Sequence, residues 1–203
     1  GCADGIVALH EITVTDNSII NNTGVSANDD GIQGSAIFHC FNGQAIITSN
    51  RIHDNGSASS QSIIWIHSHR SAASVTLEHN EISRNEATNT VFLSYGSGIP
   101  VIQNNNFHNN STTHDFRTPK GNPSDPVDID NNWGGSSSDT TIQSRIFDWN
   151  DDVDYKLADY TPFLTVPSTT APPSPPRNIA AQTGATSIQL AWSANLESDI
   201  AGY

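Results

Sequence analysis

Four clusters in this 203-residue chain have the residue types that chemistry needs. Asp148, Asn150, Asp152 and Asp154 place side-chain oxygens at alternate positions, with Asp159 beyond them, as a calcium loop does. Val153 stands where such a loop needs its glycine. An exposed acidic turn is therefore the preferred reading, and calcium is the one cofactor for which ligands are offered. Asp29-Asp30-Gly31 pairs two carboxylates, the minimum for glycoside hydrolysis. They lie in the longest stretch between apolar runs, where a solvated turn is the ordinary role. The chain has eight histidines, and His67 and His69 share one strand face. Zinc needs three or four converging ligands. Neither Cys2 and Cys40 nor nearby carboxylates complete such a set, so all eight read as surface side chains. The last cluster, Trp65, His67, Phe92 and His39, joins aromatic rings to imidazoles. That mixture stacks a sugar ring and bonds its hydroxyls.

What must position these residues is a repeat. Segments beginning at Ile12, Ala45, Val75, Pro100 and Val127 share the pattern apolar-x-apolar-x-x-Asn-x-apolar, except that the fifth ends in Gly134. The Asn falls at Asn17, Asn50, Asn80, Asn105 and Asn132, and a second follows at Asn22, Asn55, Asn85 and Asn110. Period-two alternation, as in Val75 and Leu77 against Thr76 and Glu78, marks short strands. Further strands lie between repeats at residues 35–40, 62–67 and 90–94. A repeat of this length cannot bury its own apolar face and must stack on neighbours. The Asn columns suit sharp turns, because Asn tolerates the left-handed conformation and stacked amides bond one another. Val14, Ile47, Leu77, Ile102 and Ile129 are expected inside. Ile37, His39 and Phe41 are expected outside, followed on the next rung by Ile63, Trp65 and His67, then by Phe92 and Ser94. His53 and His108, with Ser83 between them, form a column expected to face solvent.

The repeat resembles that of the right-handed parallel β-helix proteins of the pectin-lyase-like superfamily, over about residues 6–135. Residues 131–135, the run Ile142–Asp152 and Pro162-Phe163-Leu164 are similar to the closing segment of secreted members. Trp133, Ile142, Ile146, Phe147, Trp149, Phe163 and Leu164 are the expected cover for the open end. The resemblance implies an all-β solenoid over 1–165. Its lyases use a cationic base and acidic calcium ligands on adjacent rungs. The outward columns hold Glu78 and Asp128 but neither Lys nor Arg. Asp29-Asp30 resembles the polygalacturonase Asp pair, but that family's Asn-x-Asp, Gly-His-Gly and Arg-x-Lys are absent. No catalytic residue is assigned.

Residues 166–176 are Pro-rich and expected to form an extended tether with few contacts. Residues 177–203 resemble the first strands of a fibronectin type III domain, with Ile188 and Leu190 facing its core and Trp192 central. They are too few to close such a sandwich, so the chain reads as a fragment. A net charge of −13 with only eight Lys and Arg disfavours nucleic acid and anionic membranes. No apolar stretch is long enough to span a bilayer. Low charge density, abundant Ser, Thr and Asn and the absence of Met, together with a Pro-rich tether to a segment that resembles a fibronectin type III module, imply a secreted or cell-surface bacterial protein. The expected function is binding a polysaccharide or cell-surface glycan, or surface scaffolding, without catalysis. The alternative is a polysaccharide lyase or glycoside hydrolase with its active rungs upstream. Ice binding would need a Thr ladder, which the column Thr15, Thr48, Glu78, Gln103, Asp130 is not.

Overall fold

The computed structural model describes residues 6–8, 11–23, 38–41, 44–68, 74–95, 100–197 and 200. The chain advances in passes. The first contributes β1 (Ile6–Ala8), β2 (Glu11–Thr15) and β3 (Ser18–Ile20), and the second β4 (Phe38–Phe41), β5 (Gln44–Thr48) and β6 (Arg51–His53). The third gives β7 (Ser62–Ser68), β8 (Val75–Glu78) and β9 (Glu81–Ser83), and the fourth β10 (Glu86–Tyr95), β11 (Val101–Gln103) and β12 (Asn106–His108). Then follow β13 (Ser111–Arg117), β14 (Val127–Asp128), α1 (Asp139–Gln143), β15 (Ile146–Phe147) and β16 (Ala158–Asp159). A separate antiparallel pair, β17 (Arg177–Thr183) and β18 (Ile188–Ser193), comes last.

Each pass adds one strand to each of three parallel sheets. The first sheet runs β1-β4-β7-β10-β13-β15, the second β11-β8-β5-β2 and the third β12-β9-β6-β3. The protein is thus all-β with parallel sheets, because β-branched residues alternate at strand spacing throughout. One core cluster draws on all three sheets, including Ile64, Val91, Leu77, Ile102, Ile82 and Phe107. The expected inner column of Val14, Ile47, Leu77, Ile102 and Ile129 is buried.

The asparagines form two hydrogen-bonded ladders. Asn80 Oδ1 accepts from both the backbone N–H and Nδ2 of Asn50, each at 3.0 Å, while Asn80 Nδ2 donates to Ile47 O at 2.8 Å and Glu78 O at 2.8 Å. Asn55, Asn85 and Asn110 repeat this chemistry at the next turn. Each rung thereby satisfies groups that the bend would otherwise leave buried and unpaired. The left-handed residue is not the ladder Asn, as expected, but the one before it: Asp16, Ser49, His79, Asn104 and Asn131 all have φ between 53° and 58°. The Asn itself must turn its amide inward, so its predecessor takes the strained conformation.

The open end is covered by Trp133, Ile142 and Ile146, all buried. Ser138 caps α1 by accepting from Thr141 N, and Arg145 pairs with buried Asp115 at 2.9 Å. Phe147 is half-buried, and Phe163 packs against the core from its rim. Trp149, expected in the cover, is 40 % exposed. Ile188, Leu190 and Trp192 on the antiparallel pair are exposed as well. Residues 168–176 do not hang free. Ser168, Ala171 and Ser174 are buried, and the segment lies along the third sheet.

Candidate functional site

Alternation along β7, β10 and β13 sends Ile64, Ile66, Val91, Leu93 and Phe116 into the core. The intervening residues leave it. In-register pairing then stacks His39, Trp65, Phe92, Arg117 and Phe147 in one column across the first sheet. Trp65 and Phe92 stack with centroids 5.6 Å apart at 22°. The Arg117 guanidinium lies 5.0 Å from the Phe92 centroid and 5.2 Å from those of Phe147 and Tyr155. Its Nη2 donates to Tyr155 Oη at 2.5 Å, and Lys120 Nζ sits 5.5 Å over the same ring. The rings supply the cation with negative faces in place of further hydrogen bonds.

Of the residues expected to bind sugar, the structure brings Trp65, His67 and Phe92 together. His67 meets Trp65 edge-on at 5.5 Å, and Ser94 Oγ accepts from Trp65 Nε1 at 2.6 Å while lying 2.9 Å from His67 Nδ1. The side chain of His39 lies outside the described residues. Trp65 is only 6 % exposed, so the surface of this face is made by Phe92, His67, Arg117 and Phe147, all half-buried. Ile63, expected outward, is buried in the core cluster. Arg117, Phe147, Tyr155 and Lys120 extend the face beyond the expected set. Arg117 follows Asn110 at the interval by which Phe92 follows Asn85, a count that would have found it.

The third sheet carries a second outward array. Register aligns Ser18, Arg51, Glu81 and Asn106 in one column and Ile20, His53, Ser83 and His108 in the next. His53 is 8 % exposed, His108 6 % and Ser83 fully buried, so the expectation of a solvent-facing column is overturned. Its cause is the 168–176 segment and Trp133, whose ring centroid lies 5.2 Å from that of His108. Glu81 Oε1 is 2.6 Å from His108 Nε2, both side chains being buried. Beside them, Arg84 grips Asp54 through Nε and Nη2 at 2.9 and 2.7 Å, and His53 Nδ1 lies 2.7 Å from the same carboxylate. The Arg84 hydrogen bonds hold the Asp54 carboxyl down at about 2, against the opposing effect of partial burial.

The carboxylates of the acidic run accept bonds from nearby backbone. Asp148 is buried, accepting from Asn150 N at 2.8 Å and Ala158 N at 3.0 Å; Asp152 accepts from Asp154 N, and Asp154 meets Lys120 at 3.3 Å. These are turn-closing bonds, and Asn150, Asp152 and Asp154 are exposed. Among the described residues no three His, Cys, Asp or Glu side chains gather as metal ligands. Asp29, Asp30, His69 and Cys2 lie outside the described residues, as does the Cys40 side chain. No protein-family model, no curated protein and no solved structure matches the chain. Among the described residues no helix is long and apolar enough to cross a membrane.

Proposed function

We propose that the chain is a right-handed parallel β-helix of the pectin-lyase-like kind, secreted or held at a bacterial cell surface, that binds a polysaccharide or cell-surface glycan without transforming it. The fold reading draws support from three parallel sheets sharing one strand order, with Asn ladders at two of the turns between them. The functional reading rests on one observation, the unbroken series Trp65, Phe92, Arg117, Phe147 and Tyr155. Trp65, Phe92, Arg117 and Phe147 stand on successive strands, which lie roughly 4.8 Å apart. Half-buried rings offer faces for sugar C–H groups, and Arg117, His67 and Lys120 offer donors for hydroxyls. Residues 177–203 would be the opening strands of a fibronectin type III-like module.

A glycan array probed with the chain and with Phe92→Ala tests the binding reading. Phe92→Ala should lose the glycan signal while still melting cooperatively. Lys120→Ala, fully exposed, should weaken binding and leave the melting temperature unchanged. An array with no positive glycan, or equal signals from Phe92→Ala and the unaltered chain, would leave scaffolding as the function.

A further inference from the structure

The outward face of the third sheet holds buried polar side chains, and residues 168–176 cross it. Asn106 grips the segment's main chain from both sides: its Oδ1 accepts from Ser168 N at 2.7 Å and its Nδ2 donates to Ser168 O at 3.3 Å. Two rungs away, Arg51 Nε donates to Pro173 O at 3.0 Å. Between these anchors, His79 Nδ1 lies 2.7 Å from Thr170 Oγ1. Three of the four bonds reach backbone atoms, so they do not depend on which side chains the segment carries. Prolines pre-set the extended form and reduce the entropy lost on docking.

The fit of this occupant is incomplete. Glu81 Oε2 and Ser83 Oγ are buried with no hydrogen-bond partner. In register, Glu81 lies between Asn106 and Arg51, under the stretch where the segment has Ala171 and Pro172. Ala171 has no side-chain donor, and Pro172 has no N–H either. An open pocket of about 390 Å³ also lies beside Arg51 and His53, between Pro173–Pro176 and Ser18, Asn195 and Ile200. At its far end the segment is held from the other side, where Glu197 accepts from Ser174 N at 2.5 Å and from Ser174 Oγ at 3.1 Å. At the near end Val166 is exposed.

We propose that this face is a peptide-docking groove that reads the main chain of extended, proline-interrupted Ser/Thr-rich segments, and that Ser168–Pro176 is its resident, displaceable occupant. A partner peptide with a donor over Glu81 fits it better than the chain's own segment does. A short tether keeps the resident at an effective concentration on the order of millimolar, so a free peptide competes poorly until the resident is loosened.

Fluorescence anisotropy with a labelled synthetic peptide of residues 166–177 tests this on the full chain. Ser168→Pro removes the donor to Asn106, and Glu197→Ala independently frees Ser174 without touching the sheet. Each should bind the peptide at least about tenfold more tightly than the unaltered chain does. Adding Arg51→Ala should reverse the gain, and a peptide carrying Ala171→Ser should bind more tightly than the unmodified one. Should Ser168→Pro not fold, Glu197→Ala carries the test. Peptide binding that is no tighter in the loosened variants, or is indifferent to Arg51→Ala, overturns the proposal.

Discussion

The outward columns of the first and third sheets are built by the same alternation on the same passes, yet they meet different surroundings. On the first sheet the column is aromatic and cationic, and its upper rungs, Phe92, Arg117 and Phe147, keep part of their surface in water. On the third it is polar and ionisable, and Glu81, Ser83, Asn106 and His108 are buried beneath a segment that arrives from 60 or more residues away. Strand periodicity decides which side chains leave the core. It does not decide what covers them afterwards. A polar face that is covered calls for pairing; Glu81 with His108 and Asn106 with Ser168 supply part of it, while Glu81 Oε2 and Ser83 Oγ stay buried without a partner.

The largest effect should come from the core that both faces share. Leu77→Asp places an unpaired carboxyl where no water reaches, and should abolish cooperative thermal unfolding of the whole β-body. Trp65→Ala asks how far the first face is open. With Trp65 at 6 % exposure, truncation should cost about 3–5 kcal/mol, read from denaturant melts. A cost below about 1 kcal/mol would make Trp65 a surface residue and restore the symmetric expectation for that face. Glu81→Ala probes the covered face. It strands His108 Nε2 without an acceptor and should cost about 1–3 kcal/mol, while Lys120→Ala on the open face should not change stability measurably. Equal, negligible effects at both sites would erase the distinction between covered and open.

The repeat, the inner column and the pairing of Trp65 with Phe92 were legible because they depend on local alternation and on a strand that recurs after each ladder Asn. Arg117 follows Asn110 as Phe92 follows Asn85, but the polar run of β13 before Phe116 leaves no apolar alternation to mark it as a further rung. The burial of His53 and His108 was not legible. It depends on Asn106 and Arg51 capturing the backbone of Ser168 and Pro173, and backbone acceptors leave no mark in a sequence. For the same reason the Pro-rich stretch read as a free tether. The acidic run was ambiguous because an Asx turn and a calcium loop use the same alternating oxygens, and a bond such as that from Ala158 N to Asp148 belongs to either.

The smallest expected effect lies at the border of the two environments, on Asp54. Its carboxyl is 41 % exposed as a side chain, so its pairing with Arg84 should add little stability in spite of good geometry. The titration is more sensitive. Arg84 holds the Asp54 carboxyl at about 2 rather than 3.8, so the folded state favours the ionised form. The associated stability is present above the unfolded value and is lost as pH falls through about 2. Arg84→Ala should therefore raise the Asp54 midpoint towards 3.8, as followed by NMR of its carboxyl carbon, and should flatten the acid limb of the stability curve below pH 4. His53 remains 2.7 Å from the same carboxylate, so a residual depression in Arg84→Ala would measure the histidine's share. An Asp54 midpoint unmoved by Arg84→Ala would mean that the covered face, through His53, rather than the half-buried Arg84 fork, sets the charge at this border.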